Sequence, residues 1–99
     1  MIGTEIAFRL GPGTLDEARA IAATLAELAT DAHEHVLFCD DQIGEYGCLA
    51  VWATAADADA YIASAAVTEH VRQLSARMDK PPRVRRYVME YQRTAPSGA

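Results

Sequence analysis

The hydrophobic period of this chain switches from two to about 3.6 and back, twice over, and that double switch admits few folds. Residues 4–10 (TEIAFRL) alternate, with Ile6, Phe8 and Leu10 on one face and Glu5, Ala7 and Arg9 on the other, which predicts a strand. Gly11-Pro12-Gly13 stops it. Thr14 followed by Glu17 has the spacing of a capping box. From there Leu15, Ala18, Ile21, Ala22, Leu25, Leu28, Ala29 and Ala32 form one apolar stripe, so a helix is expected to about Ala32. HVLFCD (35–40) and EYGCLAVWA (45–53) then predict a hairpin about a turn region Asp41–Gly44, with the loop placed near Ile43-Gly44.

A second helix is expected from Thr54, with Asp57 completing its cap. Its first stripe (Ala58, Tyr61, Ile62, Ala65) is offset from its second (Val67, Val71, Leu74, Met78), which predicts a break around Ser64–Val67. Pro81-Pro82 is expected to end the helix, and RVRRYVMEYQ (83–92) to form the last strand. The order β-α-β-β-α-β predicts a ferredoxin-like α+β fold, a four-stranded antiparallel sheet with both helices on one face. Residues 1–93 are expected as one domain and 94–99 as a mobile tail.

The strands carry apolar residues on both faces. Ile6, Phe8, Leu10, Val36, Phe38, Leu49 and Val51 are assigned to the helix side, yet the other side would hold Ala7, Leu37, Cys39, Cys48, Ala50 and Trp52. The last strand does the same, with Val84 and Val88 on one face and Tyr87, Met89 and Tyr91 on the other. Two helices cover one side, so a homodimer is expected to cover the second.

Charge narrows the partners. Nine Lys and Arg against fourteen Asp and Glu give a net −5, which disfavours nucleic acid. No apolar run reaches the ~20 residues of a membrane span, and the opening MIGTEIAFRL lacks a secretion pattern, so a cytoplasmic protein without a membrane partner is expected. Seven of the nine basic residues fall in 72–99. Arg83, Arg85 and Arg86 are read mainly as salt-bridging within the dimer, with room for one or two, Arg85 among them, to reach a ligand. Cys39 and Cys48 would face each other across the hairpin, where disulfide geometry is poor, so buried free thiols are expected. His33 and His35 have a spacing compatible with a metal, but no third ligand is identifiable, and no metal is assigned.

The stretch Glu45–Ser64, EYGCLAVWATAADADAYIAS, resembles the hairpin-to-helix signature of the small dimeric α+β barrel proteins. These include antibiotic-biosynthesis-monooxygenase-like domains and the monooxygenase-like proteins similar to YdhR. The matching residues are Tyr46, Gly47, Trp52, Thr54 and Tyr61, with Cys48 in place of a second glycine; RYVMEY (86–91) is similar to the last strand of that family. The resemblance implies a cofactor-independent, monooxygenase-like protein that acts on or binds a small aromatic molecule, in a pocket between sheet and helices walled by Trp52 and Tyr61. His70 would be the catalytic group, taking a phenolic proton. The oxygenases of the superfamily use a pocket asparagine beside the tryptophan, and this chain contains none. Two other readings stand beside it. SAAVTEH (64–70) is similar to the segment of the haem-degrading branch whose helical histidine ligates iron, which implies haem binding through His70. A non-catalytic dimeric binding or stress-associated module is expected instead if Phe8, Phe38, Leu25 and Met78 fill the cavity.

Overall fold

Period-two alternation from Ile2 to Arg9 makes β1 (Ile2–Arg9), which pairs on both sides and so lies inside the sheet. The computed structural model describes residues 1–92. Beyond β1 the order is α1 (Leu15–Leu28), β2 (Glu34–Asp40), β3 (Glu45–Trp52), α2 (Ala55–Ala63), α3 (Ala65–Ser75) and β4 (Arg83–Val88). The strands form one antiparallel sheet ordered β2-β3-β1-β4, the expected ferredoxin-like arrangement. The segment expected to be a mobile tail, 94–99, lies outside the described residues.

One face of the sheet holds the core. Ile6 and Phe8 of β1 and Tyr46, Cys48, Ala50 and Trp52 of β3 pack against Ala18, Ile21, Ala22 and Leu25 of α1, Ala58 and Tyr61 of α2, and Val67 and Leu74 of α3. The alanines let the helices sit close to the strands, and Ala18, Leu25 and Ala58 are fully buried.

The hairpin departs from expectation in two linked ways. Its turn takes all four residues of the expected region, 41–44, rather than Ile43-Gly44 alone, so Asp40 pairs with Glu45, Cys39 with Tyr46 and Leu37 with Cys48. The two cysteines therefore do not oppose each other. Cys48 is buried and Cys39 is exposed on the edge strand. The turn is longer because Asp40 organises it: its carboxylate accepts from Gln42 N at 3.1 Å and its carbonyl from Gly44 N at 2.9 Å. Secondly, the faces of the hairpin are the reverse of those assigned. Phe8 pairs with Tyr46 and Ile6 with Cys48, which locks the even residues of β3 onto the helix side. Val36, Phe38, Leu49 and Val51 thus lie with Ala7 on the opposite, open face. Both sets are apolar, so alternation alone does not choose between them.

Phe38, meant as a possible cavity filler, instead lays its ring over Gly47 on that open face and remains 47% exposed. Val36 and Tyr87 are exposed there too, and Met89 covers Gly3.

The break in the second helix is real. Ser64, in an extended conformation (φ −63°, ψ 143°), closes α2 and opens α3, accepting from Val67 N at 3.2 Å. Thr54 caps α2 by accepting from Asp57 N at 3.2 Å. Thr14, by contrast, makes no side-chain cap to α1. Its hydroxyl donates to Gly11 O at 2.7 Å and lies 2.9 Å from the Tyr46 hydroxyl, so the residue fastens the β1–α1 loop to the sheet instead. The helices also stop early: α1 ends at Leu28, and α3 ends at Ser75, short of Pro81-Pro82.

Candidate functional site

Trp52 is the last residue of β3, on the helix side of the sheet. The cap at Thr54 turns the chain at once into α2, and two turns later Tyr61 returns over the strand. The rings meet with centroids 4.9 Å apart at 42°. Trp52 is 2% exposed, and its indole Nε1 donates to Thr4 Oγ1 of β1 at 2.9 Å. Thr4 is itself buried, the one buried polar residue among the described residues. Cys48, four residues before Trp52 on the same face of β3, completes the group.

Every polar atom in this cluster is neutral near pH 7. Burial pushes the Cys48 thiol up to about 12. Burial, and then the negative charge a Cys48 thiolate would carry, push the Tyr61 phenol up to about 12. The arrangement offers an aromatic wall with weak hydrogen-bonding groups behind it, suited to a flat, mostly apolar molecule. It contains no charged base.

His70 lies on α3, across the Ser64 break from Tyr61, and is half-buried. Its Nε2 is buried with no protein hydrogen-bond partner among the described residues. Burial first, and the Arg77 guanidinium second, hold its pKa below the ordinary value, so the imidazole is neutral rather than half-charged near pH 7. That is the form a proton acceptor needs.

Arg85 does not join this group. Its register partner is Glu5, which places it on the open face, with the sheet between it and Trp52. Its neighbours on β4 are tied within the chain: Arg83 to Glu45 at 3.3 Å and Arg86 to Asp59 at 3.2 Å. Charge complementarity inside the fold thus accounts for two of the three arginines. His33 precedes β2 and is exposed, whereas His35 is half-buried on the helix side. Among the described residues no three His, Cys, Asp or Glu side chains form a metal-binding group.

Trp52 and Tyr61 close on each other rather than around an open space. Clefts lie elsewhere among the described residues. One, of about 240 Å³, sits between α2 and β4 beside Ile62 and Val84. Another, of about 1000 Å³, sits where β1 runs out. Thr4 was not singled out from the sequence, though a hydroxyl at the parity of Ile6 and Phe8 is the signal that marks it.

No protein-family model and no curated protein matches the sequence. Solved structures do match over nearly the whole chain. Rv0793 from Mycobacterium tuberculosis superposes with a TM-score of 0.71 at 14% identity, covering 94% of this chain and 98% of its own. An antibiotic biosynthesis monooxygenase superposes at 0.67 and 17% identity, covering 92% and 100%. An asparagine-to-alanine variant of SnoaB, a cofactor-independent oxygenase from Streptomyces nogalater, superposes at 0.67 and 18% identity, covering 97% of each. The likeness establishes a common fold.

Proposed function

We propose, from a fold held in common with antibiotic biosynthesis monooxygenase structures, that this protein binds a small aromatic molecule at Trp52 and Tyr61 and oxidises it without a cofactor. The observation that carries the reading is the Trp52–Tyr61 ring pair, anchored at Thr4 and backed by neutral groups. A flat ligand enters by parting the two rings. Helix α2 is the element that moves, since it is nine residues long and bounded by extended residues at Thr54 and Ser64. His70, neutral at pH 7, accepts a phenolic proton and leaves a ring electron-rich enough to react with oxygen. An anthrone-type methylene would then become a carbonyl, with one O₂ consumed and one water released.

Oxygen uptake with anthrone or dihydroxynaphthalene substrates tests this. The wild type should exceed buffer, Trp52→Phe should raise KM, and His70→Ala should lower kcat about 100-fold or more, the usual worth of a positioned base. Because the base must be neutral, the rate should fall with acid only below the ordinary histidine midpoint of about 6.5. Uptake equal to buffer, or equal in all three proteins, overturns the reading. A Soret shift with haemin that is lost in His70→Ala would favour haem binding in its place.

The working unit we propose is a homodimer joined through the open face. Val36, Phe38 and Tyr87 are exposed there, a patch that a monomer in water rarely keeps. A stable pairing buries about 800 Å² per protomer. Light scattering at micromolar concentration should give twice the chain mass of 10.7 kDa, and Phe38→Asp should return it to the single-chain value. A wild-type monomer would end this part of the proposal.

A further inference from the structure

The larger cleft has a chemistry of its own. It opens at the C-terminal end of β1, with the β1–α1 loop on one side and the α3–β4 connection on the other, and measures about 1000 Å³. Its accessible apolar lining is Leu10, Met78 and Pro81, above the buried edge of Phe8. One wall is held rigidly: Leu10 N and Gly11 N both donate to Gly44 O, at 2.9 and 3.3 Å, and Gly11 O takes the Thr14 hydroxyl. Pro81 stiffens the other wall.

Four basic side chains line the cleft, and two are already neutralised. Arg77 pairs with Glu17 at 3.8 Å and Arg83 with Glu45 at 3.3 Å. Arg9 and Lys80 have no carboxylate partner among the described residues, and Asp79 is the one lining acid outside an ion pair. The cleft thus carries one positive charge in excess, four against three, on a chain whose net charge is −5. We propose that it binds a small amphiphilic monoanion, a carboxylate on a short hydrocarbon body. Arg9 and Lys80 attract the head, and the half-buried Leu10 and Met78 take the body. A single excess charge favours a monoanion over a phosphate dianion, and the apolar lining favours a carboxylate with a hydrocarbon tail over a bare ion. The site is separate from Trp52, so its failure and the failure of the oxygenase reading are independent.

Methionine methyl resonances give the test, because Met78 lines the cleft while Met89 lies over Gly3 on the open face. In the full chain labelled with [methyl-¹³C]methionine, octanoate should shift the Met78 signal in a saturating manner and leave Met89 unmoved. Inorganic phosphate and 1-octanol at the same concentrations should not shift it. Lys80→Glu and Arg9→Glu should each weaken octanoate binding about fivefold or more, a typical return for reversing a solvent-facing charge. Arg19→Glu, paired with Asp16 on the exposed side of α1, should leave binding unchanged. An equal shift with phosphate would make the cleft a simple anion site, and an equal shift with octanol an apolar one. Either result, a Met78 signal that octanoate does not move, or affinity indifferent to both charge reversals, overturns the proposal.

Discussion

Trp52→Ala should lower the unfolding free energy by about 4 kcal/mol, the upper range for truncating a buried aromatic side chain. The indole is 2% exposed, and its removal leaves a void that two strands and α2 border. It also strips Tyr61 of its tilted ring partner at 4.9 Å and Thr4 Oγ1 of its donor at 2.9 Å. For a domain of this size each kcal/mol moves Tm by about 4–8 °C, so a fall of roughly 15 °C or more is expected in a thermal scan at fixed protein concentration. Trp52→Phe separates the contributions. It keeps most of the ring volume and loses the N–H, so it should cost about 1–2 kcal/mol, while Thr4 can turn its hydroxyl to donate elsewhere. A Trp52→Ala protein that melts within a few degrees of wild type would mean the cluster is loosely packed.

How much of this was legible beforehand differs from element to element. Strand β1 was plain because Ile6 and Phe8 alternate with Glu5 and Arg9, so one register puts charge in water. The break at Ser64 was plain as well, since the stripe through Tyr61 and the stripe through Val67 cannot lie on one straight helix. The hairpin was not. Val36, Phe38, Leu49 and Val51 compete with Leu37, Cys48, Ala50 and Trp52 on nearly equal hydrophobic terms. The choice falls to the register with β1 and to a turn that Asp40 extends to four residues.

The site shows the same division. Trp52 and Tyr61 stood out because both fall in the stretch Glu45–Ser64 that resembles the dimeric α+β barrel signature, one at the end of a strand and the other on the helix that follows. Thr4 lies 48 residues from Trp52, and nothing local in the sequence announces that hydrogen bond. Arg85 stands apart from Trp52 for a nearer reason. It shares parity with Tyr87, and once Val84 and Val88 are seen to lie on the side of Ile6 and Ile2, Arg85 must lie on the other.

Gly44→Ala should be strongly damaging although Gly44 belongs to a turn, because it is buried there. Gly44 closes the four-residue turn at φ +67°, a left-handed conformation that costs an L-residue about 1–2 kcal/mol. The second cost is steric and larger in kind. A Cβ at this position would run into the Gly11 carbonyl and Cα, which are backbone atoms that no rotamer change can move aside. Yielding there means breaking the bonds from Leu10 N and Gly11 N to Gly44 O, at 2.9 and 3.3 Å, which hold the β1–α1 loop against the hairpin. Overpacking of this kind typically adds 1–3 kcal/mol, for about 3 kcal/mol in all. Thermal melting should fall by roughly 12–24 °C. Gly13→Ala is the control, since Gly13 is also left-handed at φ +77° but has open space where its Cβ would stand. It should show the conformational cost alone. If the two variants melt together, the contact between the loop and the hairpin contributes nothing to stability.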